Sequence, residues 1–302
     1  MAPFLTKLGN AFGFGASLGG AAPFSATGGS VSTPGDGYKY HSFPYPNESP
    51  DPQFVVSGDE DAGTTVVETT IEVMCQGSGG AGGGGQPGPH NRISGGGGGG
   101  GATGVWEIAI DKAGIYNVTA ISGFNGGGPG SAGAGDANPG AAQFAQSPAL
   151  GSGYVVAYGG EGGKAGGPQG DNPGGEGGTN ATSSWSAASL VTDIAGEDGV
   201  GNASYGAKPG GNAGGDQTPY HPTWWYPFMD PGEAASGRSH GNPQKPADAS
   251  NFGGGGAGGY GGNGGSGVVV VRYQVSSAPQ SAKATGGAIS FYGGKTIHAF
   301  LS

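Results

Sequence analysis

The sequence predicts an all-β fold: short antiparallel strands and hairpins clamping a bundle of packed polyglycine II helices, with long irregular loops and no substantial α-helix. Three observations lead there. In residues 252–267, Ala257, Tyr260, Asn263 and Ser266 recur every third position with glycine almost everywhere between. That is the repeat of polyproline II, neither the 3.6 of an α-helix nor the two of a strand. The tract then passes without a linker into VVVVRYQV, residues 268–275, a β-branched run that reads as a buried strand emerging onto a wetter edge. Finally, glycine and proline number 75 and 22 of 302 residues. Such a chain without periodicity would read as disordered, so the three-residue repeat is what argues for order.

A lone glycine-rich helix of this kind has no internal hydrogen bonds, and glycine loses more backbone freedom on ordering than any other residue. Order therefore requires neighbours. Helices packed side by side can pair their N–H and C=O groups with one another, and the missing side chains allow close backbone contact. On this reading Gly261→Val is severe, because a branched Cβ enters the gap between helices.

Composition narrows the function. Apolar residues make up 34% of the chain, which predicts a small shared core rather than one sized for the full length. The formal net charge is −10 with only 11 Lys and Arg, scattered along the sequence, so no nucleic-acid partner is expected. Cys75 is the sole cysteine; it rules out an internal disulfide or thiolate cluster and reads as a small buried hydrophobe at a strand end. No apolar run approaches the length of a membrane span, so membrane insertion is not expected.

Residues 1–25 read as an N-terminal docking arm. Phe4, Leu5, Leu8, Phe12 and Phe14 are spaced among small residues, and Gly9, Asn10, Gly13 and Gly15 interrupt the apolar stretch that a secretory signal needs. The arm would order on meeting a neighbouring protein; the plainer alternative is a loose terminus. Residues 26–276 form the glycine-rich body. Its opening, ATGGSVSTPGDGYKYHSF at 26–43, returns as ATGGAISFYGGKTIHAF at 284–300, one residue shorter, within a C-terminal strand segment, 277–302. Each copy has a Gly-Gly corner, a short alternating segment, a glycine-containing turn and a strand with His41 or His298 two residues before a Phe, which is a hairpin signal. The second copy either pairs with the first to close the sheet or opens a successor module. Both histidines are assigned structural roles, since no second metal ligand accompanies either.

Strands are expected at 54–57 and 64–74, around an acidic turn whose Asp59, Glu60 and Asp61 read as solvated charge. Glycine tracts at 77–85 and 95–101 lead into VWEIAIDKAGIYNVTAISG, 105–123. There Trp106, Ile108 and Ile110 alternate with Glu107, Ala109 and Asp111 and a turn falls at 112–114, the pattern of a β-hairpin with Trp106 clamping the glycine layer. Tracts 159–165 and 174–179 continue the three-residue repeat, Glu161 and Lys164 falling on one edge. Irregular loops are expected at 137–150, 180–200 and 216–251. The last contains YHPTWWYPFMD, whose Tyr220, His221, Trp224, Trp225, Tyr226 and Phe228 form the densest aromatic cluster in the chain. Prolines at 219, 222, 227 and 231 keep it from helix and strand. A rigid aromatic loop offers large contact area at low entropic cost, which suits receptor or partner contact; the alternative is a lid over bare glycine surface or a subunit contact.

Chemistry is absent from the pattern. Gly294, Lys295 and Thr296 spell the end of a phosphate loop, but Ile289 stands where its first glycine belongs. No Ser-His-Asp, paired-carboxylate or metal-ligand arrangement exceeds background, so neither enzyme activity, metal nor cofactor is expected. The run IEVMCQGSGGAGGGG (71–85), then GGGGGGGATGVWEIAIDKAGIYNVTAISG (95–123), then GGNGGSGVVVVRYQV (261–275) resembles the glycine-rich virion structural modules of tailed bacteriophages, marine phages especially. The likeness spans roughly residues 26–302. It is also similar to tail-fibre and adhesin modules that stack polyglycine II helices in a sandwich.

The resemblance implies a non-enzymatic virion structural protein assembled in the host cytoplasm. It would be a tail fibre or adhesin component, homo-oligomeric, a trimer being one such form. Other virion proteins would hold it through residues 1–25, and its aromatic loop would meet a host-surface glycan or protein. The alternative is a capsid decoration or tail-surface protein that stabilises the particle through its arm. The insertion FPYPNESPDPQFVV (43–56) and the Phe-rich arm depart from the module.

Overall fold

The computed structural model describes residues 24–33, 37–44, 52–57, 65–84, 96–120, 141–164, 174–179, 181–201, 262–275, 288–292 and 295–299. Among them the fold is all-β, without a helix. One six-stranded sheet runs in the order β1 (Ala26–Thr27), β4 (Gln53–Val56), β7 (Gly114–Thr119), β8 (Ala142–Gln146), β9 (Tyr154–Ala157) and β10 (Thr182–Ser183). The other runs β11 (Ala188–Ile194), β6 (Thr103–Lys112), β5 (Thr65–Gln76), β12 (Val268–Gln274), β3 (Tyr38–Pro44) and β2 (Ser30–Ser32). Every neighbouring pair in both sheets is antiparallel. β13 (Ala288–Tyr292) and β14 (Lys295–Ala299) pair only with each other among the described residues.

The two sheets pack face to face through the alternate residues of each strand, as the two-residue period dictates. Phe54, Tyr116, Val118, Phe144 and Val155 from one sheet share a single buried cluster with Phe43, Ile71, Val73, Trp106, Ile108, Val269 and Val271 from the other. Tyr116, Phe144 and Trp185 lie nearly parallel, with ring centroids 5.6–6.1 Å apart, and Phe54 meets Phe144 edge-on at 5.9 Å. The strands of both sheets share this one core. The glycines are concentrated in the tracts between strands, which leaves the strands themselves well supplied with large side chains. On the opposite face of the second sheet, Tyr40, Met74, Val105, Val268 and Val270 make a smaller cluster.

Two strand pairings differ from the sequence reading. Residues 103–112 and 114–119 are both strands, but they lie in opposite sheets and do not form a hairpin. Only Ala113 separates them, and Gly114, at φ 144°, turns the chain from one layer to the other. Trp106, Ile108 and Ile110 can face Tyr116 and Val118 only across the interlayer space, so burial of both apolar faces overrides the local turn signal. Trp106 is accordingly a core residue, fully buried in the sandwich; its ring abuts Gly104, just beyond the glycine layer. The strands at 53–56 and 65–76 likewise belong to different sheets. Strands β8, β9, β10 and β11 fall in stretches expected to be irregular or not singled out at all. Cys75 is fully buried, as expected, and burial pushes its thiol pKa up.

From one end of the sandwich the strands run on into six glycine tracts, 77–84, 96–102, 158–164, 174–179, 195–201 and 262–267. Their main-chain hydrogen bonds recur every third residue. Gly77, Gly80 and Gly83 donate to the carbonyls of Ala102, Gly99 and Gly96, while Gly79 and Gly82 donate to those of Gly265 and Gly262, all at 2.8–2.9 Å. The central tract, 96–102, is bonded to four others: it accepts from 77–84 and 174–179 and donates to 158–164 and 195–201. A pleated strand has two hydrogen-bonded neighbours at most, so this is a three-dimensional network. Neighbours are both antiparallel and parallel; Gly160 and Gly163 donate to Ser78 and Ala81 in the parallel sense.

At particular positions of this network the absence of a side chain is a steric necessity. A Cβ on Gly80 would overlap the carbonyl of Glu161, on Gly99 that of Glu176, and on Gly264 that of Gly79. Gly261 lies outside the described residues, and Gly264, one repeat later, carries the same argument. Where strand gives way to tract, Gln76 closes the seam. Its buried side-chain amide donates to Gly101 O at 2.9 Å and Ala102 O at 3.2 Å, and its oxygen accepts from the Thr103 hydroxyl.

Candidate attachment and recognition ends

The registers place the chain's exits at two opposite ends. In the second sheet, Gln76, Thr103 and Val268 stand together at the glycine end, while Lys112, Gln274 and Tyr38 mark the far end of the sandwich. At that far end the chain enters. Phe24 packs edge-on against Tyr273 with centroids 4.8 Å apart, Lys39 Nζ donates to Ala26 O at 3.1 Å, and Val275 N donates to Gly37 O at 2.8 Å. Residues 1–23 and 276–287 therefore both join the body here. Phe4, Leu5, Leu8, Phe12 and Phe14 lie outside the described residues.

His41, midway along β3, is buried behind this end. It sits edge-on to Phe54 at 5.1 Å and stacks on Tyr273 at 5.7 Å, fully buried. Its Nδ1 is 2.7 Å from the Gly28 carbonyl, so Nδ1 carries the proton and donates; Nε2 has no hydrogen-bond partner among the described residues. Burial holds its pKa down to about 4; the Gly28 bond opposes the shift and the Lys39 charge adds to it. The ring is neutral near pH 7, in a structural role as the sequence suggested. Gly28 and Gly29, at φ 105° and 62°, form the corner in front of it, and a Cβ on either would collide with Gln53 or with Ser42 and Phe43. The His298 side chain lies outside the described residues.

The opposite end is the free end of the glycine layer. Gly83 N bonds to Gly96 O, Gly96 N to Lys164 O, Gly97 N to Val200 O, Gly175 N to Gly97 O and Gly82 N to Gly262 O. These contacts gather the tract termini 84, 96, 164, 174, 201 and 262 into one rim. Three intervals consequently open from it: 85–95, 165–173 and 202–261. Tyr220, His221, Trp224, Trp225, Tyr226 and Phe228 belong to the longest of these, and all six lie outside the described residues, as do Asp59, Glu60 and Asp61.

The described side chains towards this rim are mostly acidic. Glu176, Glu197 and Asp198 are exposed, Glu161 is half-buried, and Lys164 supplies a single positive charge among them. Asp198 accepts from Gly177 N at 2.7 Å, fastening one tract to the next, and Val200 is 44% exposed. Among the described residues no group of three His, Cys, Asp or Glu could hold a metal, and no helix is long and apolar enough to cross a membrane. Sequence reasoning did not identify the rim as a unit. The signal available to it was the alternation of tracts of similar length, about six to eight residues, with intervals of very different lengths. No family model matches the chain, and no curated protein matches it.

Proposed function

We propose that this chain is a non-enzymatic structural protein of a bacteriophage particle, a tail fibre or adhesin component that presents loops to a host surface. The observation that carries the reading is the two-ended layout. Residues 1–23 join the body at the end where Phe24 packs on Tyr273, and the interval 202–261, with its aromatic cluster, leaves from the opposite rim of the glycine layer. Attachment at one end and display at the other is what such a component requires. Between them, the network of main-chain bonds with a three-residue period supports a bundle of polyglycine II helices. A bundle of this kind is a stiff spacer, because each tract is held by several neighbours.

On this reading Phe4, Leu5, Leu8, Phe12 and Phe14 dock into another virion protein, while Trp224, Trp225 and Tyr226 stack on sugars or apolar side chains of a host-surface glycan or protein. Aromatic contacts of this type contribute about 1 kcal/mol each, so removing two should weaken adsorption about tenfold or more. The test is a particle carrying Trp224→Ala with Trp225→Ala. Adsorption to cells should fall while the particle's thermal inactivation stays unchanged. Normal adsorption with loss of particle stability would instead make the chain a capsid decoration or tail-surface protein.

A further inference from the structure

We propose that the C-terminal hairpin β13–β14 is a docking element that takes the place of β1–β3 in a second copy of this chain. The two hairpins share more than composition. In the first, Ser30, Val31 and Ser32 pair with Ser42, His41 and Tyr40; in the second, Ala288, Ile289 and Ser290 pair with Ala299, His298 and Ile297. With ATGG at 26–29 aligned to ATGG at 284–287, and His41 and Phe43 to His298 and Phe300, all three pairs fall in the same register. A hairpin register is fixed to the residue by its turn, and the three backbone pairings are the same in both hairpins.

The residues that repeat are those by which the first copy holds the sandwich. Ala26 is fully buried and pairs with Val56 of β4. Gly28 supplies the carbonyl that His41 bonds, and Gly29 makes the positive-φ corner against Phe43. His41 lies between Phe54 and Tyr273, opposite Val271 of β12, and Phe43 lies opposite Val269. The second copy retains Ala284, Gly286, Gly287, His298 and Phe300, and replaces Tyr40 by the apolar Ile297. It thus carries the docking residues without a dock: the slot beside β4 and β12 is filled by the first copy, and β13–β14 pairs with neither sheet among the described residues. A two-stranded hairpin standing alone is marginally stable in water. The same slot on another copy is the surface its sequence fits.

Exchange replaces one set of contacts by a similar set, so the balance is set by tethering. A copy's own β1–β3 acts at an effective concentration of the order of mM, and exchange becomes favourable where chains are held at comparable density. The contact is head-to-tail and generates either a closed ring or an open filament. This inference does not rest on the proposed function.

Gln274 of β12 pairs with Tyr38, and Lys295 is the counterpart of Tyr38 in the second copy. The full chain carrying Gln274→Cys with Lys295→Cys, oxidised at roughly mM concentration, should form disulfide-linked multimers well beyond those of either single variant; buried Cys75 stays out of reach. Loss of both thiols without multimers would place the hairpin in its own chain's slot, and retention of both thiols would show that it does not dock; either overturns the proposal. Adding Ile297→Pro should abolish the multimers while leaving thermal unfolding of the body, followed by tryptophan fluorescence, unchanged. Multimers that survive the proline would also overturn it.

Discussion

Gly80 and Ala81 are neighbours in one tract, and the network assigns them opposite requirements. A Cβ on Gly80 would overlap the Glu161 carbonyl of the adjoining tract, whereas the methyl of Ala81 is already fully buried without conflict. Gly80→Ala must push residues 158–164 away from 77–84, breaking the bonds from Gly160 N to Ser78 O at 2.9 Å and from Gly163 N to Ala81 O at 2.8 Å. Each buried pair left unmade costs about 1–3 kcal/mol, or about 2–6 kcal/mol for two. The alanine returns about 0.4–1 kcal/mol by restricting the unfolded chain. The expected net loss is about 1–5 kcal/mol, a large share of a typical stability of about 5–15 kcal/mol. Ala81→Gly removes a methyl without opening the tract contact and should cost only about 1 kcal/mol. Urea unfolding followed through the buried Trp106 and Trp185 reports both variants. If Gly80→Ala proves as stable as the parent, or loses less than Ala81→Gly, backbone contact between tracts is not what holds the layer together.

Two further outcomes follow from the ends of the sandwich. His41 has a folded pKa of about 4 against an ordinary 6.5, so its neutral form is the one the fold accepts. The associated stability is fully present above pH 6.5 and is lost as pH falls from there towards about 4, by about 2–3 kcal/mol; His41→Gln, which cannot titrate, should flatten unfolding free energy against pH across that window. Gln76→Ala at the seam leaves the Gly101 and Ala102 carbonyls without the side-chain amide, and should lower stability by about 2–4 kcal/mol in the same urea assay. Equal stability of this variant would mean that the strand-to-tract junction needs no polar fastening.

The all-β class, the separation into strands and glycine tracts, and the hairpins at both ends of the chain were legible in the sequence because each rests on a local period or turn. The partners of the strands were not. Residues 103–119 carry a hairpin's alternation and a hairpin's turn, yet the two strands separate into opposite sheets because both have apolar faces that must meet. β8 and β9 are short, and β11, with Leu190 and Val191 exposed, buries too little for its pattern to show. His41 and His298 were legible as a matched pair, but that His41 bonds Gly28 depends on a corner thirteen residues away. The aromatic cluster at 220–228 was visible by composition alone; its relation to the rim emerges only when the tract termini are brought together.

The two halves of the body depend on each other for a physical reason. A glycine tract gains one main-chain bond per contact and loses the largest backbone entropy of any residue type, and beyond contacts such as Asp198 with Gly177 N it has few side chains with which to choose a register among nearly identical glycines. The strands supply the choice. Because β5, β6 and β12 are fixed beside one another by Cys75 facing Gly104 and Val269, the tracts that leave them begin in a defined stagger. Gln76 then ties Gly101 and Ala102 to that stagger. From there each three-residue step repeats the first, and the displacement of Gly77, Gly80 and Gly83 against Ala102, Gly99 and Gly96 follows without further instruction. The sandwich sets the register and the layer carries it outward to the rim; a core disrupted at Trp106 would therefore loosen the glycine layer first at the seam, before any tract-to-tract bond is touched directly.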